Sequence, residues 1–326
     1  MIDRRLLWRP FAGAALVSLS GVWVRLADIE PARSAFLRNA YALPVLVLLV
    51  VLERRRRRRS GRVPAPLLQP WALAAGAFWA VDLTLWHVAI GILGAGLGTV
   101  LPSIQVVVVG LVAVLALGER PRPAFWAALP VVLAALAGLG LTGRSIDPDG
   151  SVPVGVALGV GVALAYAGAI LLLRRARAAD PDGSGVLALL WLSIGGAVGA
   201  GAAALPTGGI APAGWPADVW LVALALGSQV LGWLLLTTSI HRLPALATSV
   251  ALLLQPSLAL IWGVVLFDEP VGAVQLLLAL ALLAAVAVAN RAVTTPVPPA
   301  ASGSGLSSYD DAQRSHDADP GARSRG

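Results

Sequence analysis

Asp82 is the one acidic residue in the interior of a long apolar run, within the stretch FWAVDLTLWH at positions 78–87. A charged side chain at the centre of a bilayer costs about 2.5–3.5 kcal/mol, so such residues usually face a cavity or a partner. Asp82 could couple transport to protons or bind a substrate amine. The alternative is a protonated or paired carboxyl group that locks helix packing. We favour the first interpretation.

Aromatic side chains surround this acid at helical spacing. Phe78, Asp82 and Trp86 follow at i, i+4 and i+8 and therefore share one helix face, with Trp79 and His87 beside them. An acid flanked by rings suits a cationic or amphipathic substrate, because ring faces attract cations. Packing against lipid is the alternative for both tryptophans. We expect His87 to be solvated near the outer membrane interface.

Three glutamines, Gln105, Gln229 and Gln255, fall near the middle of apolar runs. An amide has two donors and one acceptor, so it can bind a polar ligand or bridge two helices. Substrate contact and packing both stay open for Gln105 and Gln255. Gln229 is a further candidate substrate contact.

Four charged residues lie at predicted helix ends. Arg25 and Arg38 fall at the outer ends of the first two helices, where snorkelling toward headgroups is expected. Arg38 is also a candidate for an outer gate. Glu119 and Glu269 end helices at opposite faces, so we expect them to act as gate or topology elements.

The composition places these residues in a membrane. The chain is 58% hydrophobic and 13% charged, with a mean hydropathy of +0.82, and most apolar residues occur in runs long enough to cross a bilayer as helices. It has no cysteine, and its three histidines are far apart. We therefore predict an all-α polytopic membrane protein without metal, cofactor or catalytic residues. The block Arg54–Arg59 predicts binding of anionic lipid headgroups rather than nucleic acid.

The chain repeats itself. Residues 97–121 and 247–271 align at an offset of 150, which pairs Thr99 with Ser249, Gln105 with Gln255 and Glu119 with Glu269. Matching residues at one offset indicate duplication.

Each half of the chain contains five apolar runs, so we predict ten transmembrane helices. With a cytoplasmic N-terminus, 20 of the 24 arginines fall on the cytoplasmic side. An odd number of helices per half makes the repeats inverted, as in alternating-access transporters. The predicted parts are the N-terminus (1–9), the first repeat (10–144), a junction (145–152), the second repeat (153–292) and a disordered cytoplasmic tail (293–326).

Several motifs resemble those of the EamA-like family in the drug/metabolite transporter superfamily. They are GERP (Gly118–Pro121), DEP (Asp268–Pro270), LLLQP (Leu252–Pro256) and ARSAFLRNA (Ala32–Ala40), in which an arginine is expected at position 38. The resemblance covers roughly residues 10–292. It implies a bundle of ten helices that moves small organic metabolites, often outward.

We therefore expect a secondary transporter of the bacterial inner membrane, with both termini cytoplasmic. It would export a small metabolite or drug by alternating access, coupled to protons, as a monomer or homodimer. Apart from the substrate, the predicted partners are protons and anionic lipids. The alternatives are an intramembrane enzyme and a passive facilitator or channel. The predicted substrate contacts are Asp82, Gln105, Gln255, Trp79, Trp86 and Gln229.

Overall fold

The computed structural model describes residues 8–63, 66–117, 122–142, 145–178, 183–237 and 245–293, and all regular structure in these ranges is helical. The first half contains α1 (Trp8–Ser18), α2 (Ser20–Ala27), α3 (Pro31–Arg59), α4 (Pro70–Val100), a 3-10 turn (Leu101–Ile104), α5 (Gln105–Leu117) and α6 (Pro123–Thr142). The second half contains α7 (Val152–Ala178), α8 (Val186–Ala204), α9 (Ala217–Ala223), a π-helical stretch (Leu224–Gly232), α10 (Trp233–Thr237), α11 (Ala245–Phe267) and α12 (Ala273–Val293).

Seven helices within the described ranges are long and apolar enough to cross a membrane. One of them is a run of 43 residues, Pro70–Val112, about twice the length that spans the hydrocarbon core. Two shorter apolar helices, Leu253–Phe267 and Ala273–Ala289, follow toward the C-terminal side. The chain is therefore a helical multi-pass membrane protein, and the count of ten spans stays a prediction.

Gly94 interrupts α4. Its backbone angles, φ 87° and ψ 168°, are not helical, and the left-handed half of the map is open to glycine because it has no Cβ. The change of direction falls on this glycine alone, since Gly94 is the one residue of α4 with non-helical angles.

Helix α3 extends beyond its apolar run. The run ends at Leu52, but the helix continues through Arg59 over 29 residues, about 43 Å at 1.5 Å per residue. Four of the arginines lie in its last turn, where positive side chains complement the helix dipole. The arginine block therefore extends a membrane helix and is not a loop.

Helices of the first half pack mainly against helices of the second half. Helix α3 of the first half packs against α8 of the second, and α6 packs against α12. Helix α4 packs on α7 and α8, and α1 contacts α10 and α11. The offset of 150 makes α3 equivalent to α8 and α6 equivalent to α12, so these two pairs are as expected for a duplicated chain whose halves are related by a pseudo-two-fold axis.

Some predictions fall outside the described residues. These are Glu119 with the rest of GERP, the last two residues of the predicted first repeat (143–144), and the tail from 294 onward. The junction itself is described. Ser145 Oγ and Ile146 N both donate to Ile92 O at 2.9 Å, so the junction closes over α4 beside its interruption.

Candidate functional site

Arg38 and Asp82 lie in the interior of the helix bundle, and each is 3% exposed. Helix α3 begins at Pro31, and Glu30 caps it by accepting from Ala32 N at 3.0 Å and Arg33 N at 2.6 Å. This start places Arg38 about 10 Å along the helix, well below its end. The Arg38 and Asp82 side chains form no ion pair within 4.0 Å in the described structure.

Gln229 joins three helical segments around Arg38. Arg38 Nε donates to Gln229 Oε1 at 3.0 Å, and Gln229 Nε2 donates at 2.9 Å both to Asn39 Oδ1 and to Ser193 Oγ. The glutamine is fully buried and lies in the π-helical stretch, a backbone form that is frequent at functional sites. Its amide holds the guanidinium in one orientation.

Aromatic rings from both halves enclose these polar groups. The Trp79 ring lies 5.3 Å from Trp233, edge to face, and 6.1 Å from Tyr166. Arg38 Cζ lies 6.0 Å from the ring centroid of Trp79 and 5.9 Å from that of Trp86. These separations are within the range of cation–π attraction, so the guanidinium is held by indole faces.

Four buried polar atoms on α4 have no hydrogen-bond partner among the described residues: Trp79 Nε1, Asp82 Oδ1, His87 Nε2 and, near the end of the helix, Thr99 Oγ1. His87 Nδ1 lies 2.5 Å from Leu83 O. A carbonyl oxygen only accepts, so Nδ1 carries the proton and Nε2 of the neutral ring is an acceptor. Buried polar groups are almost always paired, so three unpartnered atoms within positions 79–87 of one helix are unusual.

We call this group of side chains the central cluster. It brings together four of the predicted substrate contacts and the predicted gate residue Arg38, and it draws on α3, α4, α7, α8, the π-helical stretch and α10. Its members are Arg38, Asn39, Trp79, Asp82, Trp86, His87, Tyr166, Ser193, Gln229 and Trp233.

Several expectations about exposure are wrong. Arg38 was expected to snorkel and His87 to be solvated, but both are 3% exposed. Phe78 was expected beside Asp82, but it is 45% exposed, whereas Trp79 and Trp86 are buried, which excludes lipid packing for these two tryptophans. Trp79 and Trp86 are buried because α7 and α8 cover α4 on the side that carries Trp79.

Gln105 and Gln255 lie elsewhere in the fold. Gln105 begins α5 directly after the 3-10 turn, and Gln255 precedes Pro256 inside α11. Both are partly exposed. Within the described part of the chain, neither side chain hydrogen-bonds to the central cluster, so their contact with substrate stays a prediction.

Glu269 follows α11, as expected, but it does not face solvent. It is 5% exposed and accepts hydrogen bonds from Ala95 N at 2.6 Å, Gly96 N at 3.0 Å and Arg25 Nη1 at 2.7 Å. Arg25 is therefore an ion-pair partner of Glu269 and not a residue that snorkels. We call these interactions the cross-half contact, because Glu269 belongs to the second half and its partners to the first.

Sequence reasoning did not single out Tyr166, Ser193 or Trp233. The repeat gave one partial signal for the cluster. Its offset of 150 aligns Trp79 with Gln229, and both residues are members of the central cluster. Tyr166 is also the one aromatic residue of α7. Nothing in the local pattern of α8 or α10 marks Ser193 or Trp233.

These features define a helical multi-pass membrane protein whose two halves enclose charged and aromatic side chains. The chain belongs to the EamA-like transporter family, whose model matches residues 7–141 and again residues 153–291. The predicted family and the duplication are thus confirmed.

The fold also occurs among solved structures, of which 17 chains match. One of them, described as a crystal structure of a protein, is 18% identical with a TM-score of 0.55, and the match covers 87% of this chain and 96% of that one. At this identity the likeness shows the fold alone. No curated protein matches the sequence.

Proposed function

We propose that this chain is a secondary transporter that moves a small metabolite or drug-like solute across the bacterial inner membrane. The family assignment supports a role in membrane transport. The observation that carries the proposal is the buried pair of opposite charges, Arg38 and Asp82, where helices of both halves meet. Charged groups inside a membrane are costly and mark substrate or ion pathways.

We further propose ten spans in two inverted repeats, with both termini cytoplasmic. The run Pro70–Val112 is long enough to cross twice and breaks at Gly94, while α11 and α12 would supply the last two spans. Five spans in each half would reverse the orientation of the second half. The packing of α3 on α8 and of α6 on α12 supports this relationship.

Alternating access is our proposed mechanism. The central cluster is buried, so a substrate must enter by separation of the halves at one end of the bundle. The cross-half contact joins Arg25 to Glu269. It lies at the end of the helix bundle where α2 stops and α3 begins, and the arginine block Arg54–Arg59 lies at the opposite end of α3. We propose that the cross-half contact keeps its own end closed and breaks when that end opens.

Asp82 is our proposed proton carrier. Its Oδ1 atom has no partner within the described residues, so it is free to take up a proton or to accept from a substrate. Outward transport is proposed from the resemblance, since related transporters often export. Transport rather than catalysis is favoured because the family consists of transporters.

The positive end of α3 is our proposed lipid contact. Arg55, Arg56, Arg58 and Arg59 are exposed on a helix that extends past the apolar run, which suits anionic headgroups at the membrane surface. A monomer and a homodimer are both compatible with this arrangement.

The test uses purified protein in liposomes that contain a pH-sensitive dye. A pH gradient is imposed, and fractions of a metabolite library are added to wild-type protein, to Asp82→Asn and to the control Asp149→Asn. Asp149 is exposed in the junction, so the control makes the same chemical change outside the cluster.

Proton movement triggered by one fraction, lost in Asp82→Asn and kept in Asp149→Asn, is the expected result. Solute flux without proton movement in all three proteins would refute coupling and leave a passive facilitator. Chemical conversion of a library compound would instead support an intramembrane enzyme.

A further inference from the structure

The segment 205–216 connects α8 to α9 at the end of the bundle where α3 begins, and we call it the outer loop. Helix α8 covers 19 residues, about 28 Å at 1.5 Å per residue, which is close to the roughly 30 Å thickness of the hydrocarbon core. The next apolar span, Ala217–Leu236, begins directly after the loop. The outer loop therefore lies at the height of the lipid headgroups.

The outer loop exposes large apolar side chains and carries no charge. Trp215 is 85% exposed, Leu205 65% and Ile210 47%, and no charged residue occurs from 205 to 216. Tryptophan is enriched at the boundary between membrane and water, where its ring is apolar and its N–H is hydrated. We propose that the outer loop is a membrane anchor, which inserts Trp215 and Ile210 into the headgroup layer of the leaflet at this end.

Most backbone N–H groups of the outer loop are paired within the protein. Ala204 O accepts from the N–H groups of residues 207, 208 and 209 at 2.7–3.1 Å. The Asp218 carboxylate accepts from Ala213 N at 3.0 Å and Gly214 N at 2.9 Å. Three further positions, 206, 212 and 216, are prolines and have no N–H. Few donors are left to require water, which suits a lipid environment, where an unpaired backbone group is costly.

Two side chains of α3 hold the outer loop against the bundle. Arg33 Nε donates to Ala211 O at 3.0 Å, and Arg33 Nη2 donates to Pro212 O at 2.7 Å. The Tyr41 hydroxyl donates to Asp218 Oδ1 at 2.8 Å, so the carboxylate that pairs the loop amides is itself fixed. A loop held in this way presents its apolar side chains in one arrangement and loses little conformational freedom when they insert.

The position of the loop selects lipid as its partner. Trp215 lies two residues before the span that begins at Ala217, so its exposed ring meets the headgroup layer before it can meet a soluble protein. The anchor requires only that the helices on both sides of the loop cross the membrane, whatever solute the protein moves.

The experiment measures the depth of spin labels on the full-length protein in phosphatidylcholine liposomes. The chain has no cysteine, so a nitroxide can be attached to one introduced cysteine at a time, in Trp215→Cys, Ile210→Cys and the control Asp149→Cys. Asp149 is exposed in the junction, which the ten-span arrangement places on the same side of the membrane. Collisions of the label with oxygen, which concentrates in the bilayer, are compared with collisions with a water-soluble nickel chelate.

We expect the ratio of oxygen to nickel collisions to be several-fold higher at positions 215 and 210 than at position 149. A ratio at position 215 equal to that at position 149 would show that the loop faces water and would overturn the proposal. Few collisions with either reagent at position 215 would show that protein covers the loop, as in a contact with a second copy, and would also overturn it.

Two double variants test whether the Trp215 side chain holds the loop in the membrane. In the Ile210→Cys background, Trp215→Asn should move the label toward water and lower the ratio, whereas Trp215→Phe keeps an aromatic ring and should retain it. Because Trp215 is exposed in the protein, neither change should alter the Tm in detergent. Equal ratios in the two double variants would refute the anchoring role of this side chain.

The anchor and the transport function can fail separately. An inserted loop in a protein that moves no solute would refute the transporter and leave the anchor standing. Proton-coupled flux in a protein whose loop faces water would refute the anchor and leave the transporter standing.

Discussion

Arg25 Nη1 donates to Glu269 Oε1 at 2.7 Å, which joins residues 244 positions apart in the chain. The same carboxylate accepts from the backbone N–H groups of Ala95 and Gly96. These amides follow the break at Gly94, where α4 resumes and its first N–H groups lack partners within the helix. The Glu269 carboxylate therefore caps a helix of the opposite half and also forms the ion pair with Arg25.

Removal of the Glu269 carboxylate should destabilise the protein more than removal of Arg25. Glu269→Ala leaves two buried N–H groups unpaired, at about 1–3 kcal/mol each, and also removes the ion pair. Arg25→Gln removes the ion pair and the contact with the Phe267 ring, but the carboxylate keeps both backbone donors. Thermal unfolding in detergent should therefore show a lower Tm for Glu269→Ala. Equal Tm values for the two variants would mean that the backbone cap contributes nothing.

A side chain at Gly94 should disrupt the same region. The φ of +87° is rarely adopted by L residues, and an added Cβ would lie 2.5 Å from Glu269 Cδ. Gly94→Ala is expected to lower the Tm and the yield of folded protein. Gly91→Ala is the matched control on the same helix, because nothing lies within 4 Å of an added Cβ. Since alanine favours helix over glycine by about 1 kcal/mol, the control should be neutral or more stable.

Trp79→Phe should separate stability from transport. The change keeps an aromatic ring but removes the buried Nε1 donor, which has no partner within the described structure. The smaller ring should lower the Tm only moderately, while solute-triggered proton movement in liposomes should fall strongly. Trp126→Phe, at a position that is 47% exposed, should change neither measurement. A large loss of Tm in Trp79→Phe would indicate that the indole N–H has a structural role.

Gln229→Leu should destabilise the fold. It leaves Arg38 Nε, Asn39 Oδ1 and Ser193 Oγ without their present partner, at a total of about 2 kcal/mol or more. Gln105→Leu makes the same change at a partly exposed position and should leave the Tm near that of wild type. Urea or thermal unfolding compares the two, and a reversed order would refute the bridging role of Gln229.

Topology can be tested without a background of native thiols, because the chain contains no cysteine. Single cysteines in place of Arg58 and Asp149, both exposed, should react with a membrane-impermeant maleimide from opposite sides of the membrane. Labelling of both from one side would contradict the ten-span arrangement.

Much of the fold was predictable because apolar runs of spanning length indicate helices directly. Asp82 and Gln229 could also be selected from residue type alone, since polar groups in apolar runs need partners. The depth of Arg38 inside the helix bundle could not be predicted from the sequence, because it depends on where α3 begins and on the helices that cover this arginine. The pairing of Arg25 with Glu269 depends on contacts between distant segments, which hydropathy and helical periodicity do not contain.

The π-helical stretch Leu224–Gly232 fixes the rotation of α10 relative to α9. One residue of an α-helix corresponds to about 100° of turn, so deletion of a single residue within this stretch would turn the following segment by roughly that angle. Trp233 would then leave the face that meets Trp79. The ring cluster therefore depends on the number of residues in this stretch, and insertions or deletions here should be more damaging than most substitutions.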